Sequence, residues 1–598
     1  MTKRVAILGG GVGGLSAAHE LCTRGFDVHV YECNALGGKA RSFPAPGSGK
    51  AARLGLPAEH GFRFFPGFYH HLPETMKEIP RGDGGSVFDN LVRGAEMQIA
   101  RCGAEFSVPA GAPDSWGELR RSLYFLYTFA QKLGIGRRRL LRFCFFVAEL
   151  ALSCEERLIR DYERRSWWDF IRAEKASTAY RTYLADGITR TMVAAQARQL
   201  SARTAGSMLL QISYDVSLPE RHLDRVLNGP TNVAWIDPWR RFLELEDRSR
   251  NKKPVTFHMG ATVTGFNCGP GCIESVTVSD KHGAPEQIEA DYYIAALPAG
   301  VMKCLVTKEM KVADPRLGGL DDLAEDWMNG VMFYLPEPAK IIDGHTIYIE
   351  SKWALTSISQ GQFWRTGHLG KGGVQDILSV DVSDWHTAGL NGKTARECTA
   401  DEIKKEVWNQ IKLHLNDDAK KELGNVEYVD AVLDPAIKFD ENGVVAGNVE
   451  QLLINKRGTW AHRPSAAPDL AKECLVNLFL ASDYVQTNVD LATMEGANES
   501  ARCAVNAILR SEQSGEPQCE LRPLQHPKLI RNARKRDLKR FNEEQATFVE
   551  EYTQETVFVA TDTVESQLDD LEAWLRQKLQ EPGTPPPRGG PIGVTQQG

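Results

Sequence analysis

No run of about 20 apolar residues, the length needed to span a bilayer, occurs anywhere in the 598-residue chain, so no membrane-spanning helix is expected. The 12 cysteines are scattered without a CxxC pair, which speaks against a thioredoxin-like centre or a spaced zinc site, and no metal ligands are expected. Cys268 and Cys272, in CGPGC, read as a turn between strands. Scattered thiols fit a reducing compartment. There is no excess of one charge: 71 basic against 78 acidic residues leave a net charge of −7, without the basic bulk of a nucleic-acid binder. No internal repeat is found. The opening MTKR runs straight into an apolar strand and a glycine loop, without the pattern of a signal peptide, so the expected location is the cytoplasm, the membrane surface included. What is present is ordinary for a protein with a large core: 42% hydrophobic, 25% charged and 9% aromatic residues. At about 150 residues per domain the length allows roughly four units, or two with large insertions.

Val5–Leu8 reads as a buried strand of a parallel sheet, Leu15–Arg24 as a helix ended by Gly25, and Asp27–Tyr31 as a second strand finishing at Glu32. That is one βαβ unit. Apolar residues alternate from Val255 to Val278, Gln287–Leu297 is an apolar strand closed by Pro298, and a strand over Leu475–Ala481 leads into a helix over Met494–Arg510. These regions read as one nucleotide-binding domain broken by insertions. Residues 112–225 are helical in pattern, and residues 311–465 mix strand-like runs, Val331–Leu335 and Asp376–Val382, with a helix over Ala400–Leu415.

The chemistry is concentrated near the start. Gly9, Gly11 and Gly14 form GxGxxG within GGGVGGL, after the first strand and at the opening of a helix; Gly13 belongs to the same loop. Glycines there let the backbone approach a pyrophosphate, whose charge is stabilised by the helix N-terminus. Glu32 stands where an acid accepts from a ribose hydroxyl. A second pair, Gly37 and Gly38, extends the close approach along a dinucleotide, and Lys39 and Arg41 can offset phosphate charge.

Glu32 with Gly37-Gly38-Lys39, then Glu59-His60-Gly61-Phe62-Arg63-Phe64-Phe65, then Asn477 to Tyr484 and Leu491 to Ala497, resemble the FAD-containing amine oxidase superfamily, and within it the phytoene and zeta-carotene desaturase branch. The resemblance covers roughly 200 residues at both ends of the flavin domain. It implies an α/β fold with a discontinuous Rossmann-like FAD-binding domain (1–111, 226–310 and 466–515); the pattern of the rest gives a helical insertion over 112–225 facing substrate or membrane, an α+β substrate domain over 311–465 and a helical C-terminal extension over 516–580, and the proline- and glycine-rich end over 581–598 is expected to be disordered. The resemblance also implies that Asp483 holds the ribityl or pyrophosphate part of FAD, that the helix from Met494 points its N-terminus at the flavin, and that Val263 lies in the strand whose backbone touches the adenine. The chain departs from the pattern at Ser482, where glycine is usual, and at Arg63, where desaturases often carry histidine. Lys39, where amine oxidases carry arginine, points to the desaturase branch.

Elsewhere the residues allow two readings each. Trp353 to Gln360, Gln362 to Trp364 and Asp384-Trp385 fit an apolar channel over the flavin or sheet packing; Phe62, Phe64, Phe65, Phe68 and Tyr69 fit a cluster near the flavin ring or core. His70 and His71 fit proton carriers or a surface pair without a role. Residues 119–152 place two apolar, aromatic-rich segments between Arg120, Arg121, Lys132, Arg137, Arg138, Arg139 and Arg142, as in an interfacial helix on an anionic bilayer or a buried helical pair. The basic run Lys528–Arg540 fits a solvated helix or a membrane or acidic-partner contact.

The function expected is FAD-dependent dehydrogenation of an apolar isoprenoid or similar lipid. No catalytic residue is identified, because the cofactor carries the hard step. The alternatives are a flavin amine oxidase, for which Lys311 is the candidate lysine near flavin N5, and a non-redox FAD-dependent isomerase. A binder of prenylated proteins on the same fold is disfavoured by the intact glycine, Glu32 and Asp483 set.

Overall fold

The computed structural model describes residues 2–547, apart from 46–54, 103, 110–132, 194, 218–221, 223, 248–251, 340, 366–368, 370–371 and 417–420. The first of the two apolar segments in 119–152, with Arg120, Arg121 and Lys132, therefore lies outside the described residues, as does the tail.

The chain opens with β1 (Arg4–Leu8), α1 (Val12–Cys22) and β2 (Asp27–Glu32), then α2 (His71–Glu78) and the hairpin β3 (Glu96–Arg101) and β4 (Ala104–Pro109). Two long helices follow, α3 (Arg137–Leu152) and α4 (Ala202–Ser217). The chain then returns through β5 (Thr256–Met259), the hairpin β6 (Thr262–Gly269) and β7 (Cys272–Ser279), and β8 (Tyr292–Ala295). Next come β9 (Asn329–Leu335), β10 (His345–Tyr348), β11 (Leu355–Ser359), β12 (Asp376–Val382), α5 (Ala400–Leu415) and β13 (Asp430–Leu433). The last elements used below are β14 (Leu478–Leu480), α6 (Met494–Ser511) and α7 (Lys528–Asn542).

Five strands, in the order β14-β8-β1-β2-β5, make an all-parallel sheet. Its central strand carries Val5, Ala6, Ile7 and Leu8, all fully buried, as expected of a parallel strand covered on both faces. α1 and α6 lie together over this sheet, and Asn498 of α6 donates to Ser16 of α1 at 2.8 Å. The three sequence regions assigned to one domain thus meet as neighbouring strands. Cys268 and Cys272 flank the turn between β6 and β7 as unpaired thiols.

The second sheet has seven strands in the order β13-β9-β12-β11-β10-β3-β4. Its edge pair β3–β4 comes from the first 111 residues, which the sequence assigns wholly to FAD binding. Side chains alternate across it. Val331, Phe333 and Leu335 of β9, with Leu378, Val380 and Val382 of β12, pack against Ile403, Val407, Trp408 and Ile411 of α5. Met332, Tyr334, Ile358 and Ile377 pack on the opposite face. Both faces are covered, so Val331–Leu335 of β9 reads as an unbroken apolar run, and β12 departs from one only at Asp376, Ser379 and Asp381. α5 begins with a capping box, Thr399 and Glu402 exchanging bonds of 2.8 and 3.3 Å.

α3 belongs to a helical core. Phe143, Phe146, Leu150 and Ala151 are buried in it, while Arg138, Arg139 and Arg142 stay exposed. The apolar face of this second segment is turned inward, which is the packing reading rather than the interfacial one. The basic run forms α7, and it is docked: buried Asp537 accepts from Arg157 Nε at 3.0 Å and from Cys154 N at 2.8 Å. Among the described residues no helix is long and apolar enough to cross a membrane.

Candidate functional site

The glycine loop divides into two kinds of position. A Cβ on Gly13 would fall on the carbonyl of Ala481, whose carbon is 3.0 Å away, and one on Gly9 would stand 2.5 Å from the Ala296 oxygen; Gly14 is likewise closed by the Gly9 carbonyl. These glycines are required by the close seating of α1 on β8 and β14. Gly11 is different. A Cβ there meets nothing nearer than Gly38 Cα at 3.9 Å, and its φ of −72° suits any residue. Gly38 faces it with a φ of +56°, in the left-handed region, and Gly37 N–H donates to Gly10 O at 2.8 Å. Two bare backbones therefore border an open space at the N-terminus of α1, a cradle for a pyrophosphate that side chains would fill.

Around the cradle, Glu32 is buried, accepting from Gly10 N and Asn34 N, each at 2.7 Å. Lys39 Nζ donates to the Gln451 carbonyl, while Arg41 bonds Gly38 O at 2.6 Å and pairs with Glu450 at 3.1 Å. Both cations border the cradle but are held by protein groups. At the other end, Asp483 follows β14, and Ser482 donates to its Oδ1 at 3.3 Å. α6 begins at Met494, with Thr493 Oγ1 accepting from Gly496 N at 3.0 Å. Val263 is a buried residue of β6, beside this domain.

Two buried residues that the sequence reading missed hold this end in shape. Arg463 donates to the carbonyls of Asp483 at 2.6 Å, Tyr484 at 2.9 Å and Val485 at 2.8 Å, and to Asp490 at 2.8 Å. Asp490 also takes Arg203 of α4 at 2.8 Å, which ties the helical insertion to the turn carrying Asp483. No spacing signals such a set, because its members are far apart in the chain.

Between the cradle and the seven-stranded sheet lies the segment Glu59 to Arg63. It sits directly on the sheet: a Cβ on Gly330 of β9 would stand 2.7 Å from His60 O, and one on Gly61 would strike the Asp381 carboxylate of β12. Glu59, Phe62, Arg63, Val226, Ile358 and Trp364 are among the residues lining a narrow, partly open cleft here. Arg63 Nη2 donates to Lys39 O at 2.7 Å, which joins the pocket to the glycine pair. Glu59 accepts from the Thr231 N–H and hydroxyl, both at 2.8 Å. Burial pushes the Glu59 carboxyl up, against the opposing pull of Arg63. It also pushes Asp381 up, to about 7, again with Arg63 lowering it and the carboxylates of Asp434 and Glu59 raising it further. Behind them His60 bonds Asp434 at 2.6 Å, which also takes Asn329 at 2.6 Å.

Several sequence expectations are corrected here. Lys311 is paired with Asp321 at 2.6 Å, so its ammonium is committed to a peripheral ion pair rather than poised over a flavin. His71 is no surface residue: it is 1% exposed, and its ring and backbone N–H donate to Glu495 at 2.8 and 2.7 Å. Phe65, Phe68 and Tyr69 belong to the nucleotide-domain core, whereas Phe62 lines the pocket. The aromatic run divides the same way. Trp353, Leu355 and Trp385 pack under α5, whereas Ile358, Gln360, Phe363 and Trp364 line the pocket.

Residues 12–509 match the family model of flavin containing amine oxidoreductases. The chain belongs to the flavin-containing amine oxidoreductase family. FAD is accordingly the cofactor of this flavin-containing oxidoreductase, and the open Gly11–Gly38 cradle fits it. Among curated proteins it is similar to the zeta-carotene desaturase of Zea mays, 26% identical over 321 residues that cover 52% of each chain. It is also similar to the carotenoid phi-ring synthase of Chlorobaculum tepidum, 37% identical over 87 residues covering 14% of this chain and 12% of that one. This flavin-containing oxidoreductase spans about half the length of the desaturases it matches. Its fold is shared with putrescine oxidase solved with putrescine bound (TM-score 0.54, 15% identity, covering 85% of this chain and 99% of that one). It is shared as well with cyclohexylamine oxidase from Brevibacterium oxydans (TM-score 0.54, 12% identity, covering 86% and 100%).

Proposed function

We propose that this oxidoreductase dehydrogenates an apolar isoprenoid or similar lipid at a CH–CH unit. One observation carries the reading: the pocket beside the cradle is walled by Phe62, Val226, Leu227, Ile358, Phe363 and Trp364, with Glu59 and Arg63 as its charged groups. Arg63 is the charge that opposes the burial raising the Glu59 carboxyl. Apolar side chains on this wall take up a hydrocarbon by the hydrophobic effect, and the Arg63 guanidinium beside them repels an ammonium substrate. The resemblance to zeta-carotene desaturases supports the same choice.

In this reading Gly9, Gly11, Gly13 and Gly14 present the backbone to the pyrophosphate with Gly37 and Gly38, and Glu32 meets the adenosine ribose. Val263 serves the adenine, Lys39 and Arg41 lie beside the phosphates, and Asp483 with the α6 N-terminus at Met494 serves the flavin end. When bound, FAD supplies the acceptor for a hydride. The chain's own part is to hold the substrate carbon chain between Phe62 and Trp364, to exclude water, and to hold at Glu59 the proton released from the neighbouring carbon.

The test is anaerobic mixing of the flavin-loaded protein with a polyisoprenoid in vesicles and, separately, with a panel of amines. Bleaching of the flavin by the polyisoprenoid alone is expected. Bleaching by amines alone overturns the proposal in favour of amine oxidation. Conversion of the lipid without bleaching or net oxidation assigns isomerisation instead.

A further inference from the structure

The parallel pairing of β3 with β10 sets Gln98 against Thr346, Ile99 against Ile347 and Ala100 against Tyr348. Two residues further on, the same register places Cys102 opposite Glu350, and Cys102 N–H donates to Glu350 Oε2 at 3.1 Å. α5 crosses this end of the sheet, and the ring of His414 in its last turn meets Tyr348 edge-on, the centroids 5.8 Å apart. A thiol, a carboxylate and an imidazole from three separate elements thereby bring their ligating atoms within 4.8 Å of one another. Among the described residues this is the one such grouping.

The imidazole shows what the grouping suits. His414 is 5% exposed, and its Nδ1 donates to the Gln410 carbonyl at 2.6 Å. That bond fixes the tautomer and leaves Nε2 a lone pair without a hydrogen-bond partner, buried beside the thiol and carboxylate. A buried histidine with one nitrogen on a backbone carbonyl and the other bare is the usual state of a metal ligand. Glu350 has the matching outer support: the Tyr183 hydroxyl donates to its Oε1, and Arg101 Nε lies 3.7 Å from the same atom.

We propose that Cys102, Glu350 and His414 bind a zinc-class divalent cation, with water completing the coordination. Thiolate sulfur, imidazole nitrogen and carboxylate oxygen are the ligand set of zinc, and two anionic ligands balance its charge while the thiol proton is released. Tetrahedral zinc places ligand atoms about 3.5 Å apart, so the site closes by about 1 Å. Cys102 is exposed and lies past the end of β3, where a rotation of its side chain supplies that movement. Bound there, the cation clips the β3 edge of the substrate sheet to α5, next to Tyr183 of the helical insertion.

The experiment uses the full-length, flavin-loaded protein stripped with a chelator. Competition against a chromophoric chelator is expected to show one Zn²⁺ per chain. Co²⁺ is expected to give thiolate-to-cobalt absorption with tetrahedral ligand-field bands. Cys102→Ser, at an exposed position, abolishes the charge-transfer band and weakens zinc by at least about 100-fold; His414→Gln does the same. Flavin absorbance reports folding in each variant, and Cys102→Ser decides the matter if His414→Gln does not fold. Absence of stoichiometric zinc, or binding that Cys102→Ser leaves unchanged, overturns the proposal.

Discussion

Replacing Gly11 and Gly13 separately by alanine separates the fold from cofactor binding within one loop. At Gly11 the new methyl group meets only Gly38 Cα, at 3.9 Å, and the backbone is one that alanine adopts without strain. Alanine stiffens the unfolded chain, a gain of about 0.4–1 kcal/mol, and caps the helix less well than glycine. The two effects offset, so Gly11→Ala should leave the stability of the flavin-free protein within about 1 kcal/mol of wild type. Its methyl nevertheless occupies the cradle. Wild type with FAD at about 100 times its Kd gains ~2.7 kcal/mol of stability, and the variant should lose that gain. Gly13→Ala behaves otherwise. Its methyl is driven into the Ala481 carbonyl, between two backbones that cannot yield, so the flavin-free protein should itself lose about 3 kcal/mol. Denaturant unfolding with and without added FAD, combined with flavin absorbance per chain, measures both. A Gly11→Ala protein that purifies fully yellow and keeps the FAD-dependent gain would refute this account of the loop.

Three further expectations rest on buried carboxyls. Glu495 accepts from the backbone N–H groups of His70, His71 and Leu72 and from the His71 ring, which outweigh burial and hold its pKa below the ordinary value. Its contribution is therefore full above about pH 4.5 and lost as the pH falls through the lowered folded value; at pH 7 Glu495→Gln should cost about 3 kcal/mol in denaturant melts, and a loss under 0.5 contradicts this. Asp381 has the opposite sign. It is raised from 3.8 to about 7, so the wild type should lose stability as pH rises across that window, by ~4 kcal/mol at most, and Asp381→Asn should flatten that slope. An unchanged slope places the titration elsewhere. Glu59→Gln should retain flavin but lower the rate of flavin reduction by about 100-fold in single-turnover mixing, and a wild-type rate would remove Glu59 from the reaction.

Local features were legible in the sequence. The glycine loop, Glu32 and the strand–helix–strand order are set by residues close together, whose backbone demands are the same in any context, and all lie where expected. β9 and β12 were legible as strands, though not which face each residue takes, since both faces are covered. Asp381 was the available hint: an acid inside the apolar run DILSVDV. Arg463 with Asp490, His60 with Asp434, and Cys102 with Glu350 and His414 were not legible, because each depends on the register of strands and helices distant in sequence. Lys311 failed as a candidate because sequence position alone does not say whether a lysine faces a cleft or a neighbouring aspartate on the surface.

The strand order of the nucleotide domain bears on how the protein is made. β1 pairs early with β2, yet its other edge waits for β8 and the sheet is finished only by β14. At roughly 5–20 residues per second, translation takes about 25–95 s to pass from the first strand to the last. Throughout that interval an apolar parallel edge, with its row of unmet N–H and C=O groups, emerges from the ribosome before its partner exists. The turn carrying Asp483 and the start of α6 are synthesised later still, so the flavin end of the site is absent until the sheet is finished. Production of this protein should therefore depend on chaperone supply and on slow translation, and truncation before β14 should leave an aggregating chain even when most of the domain is present.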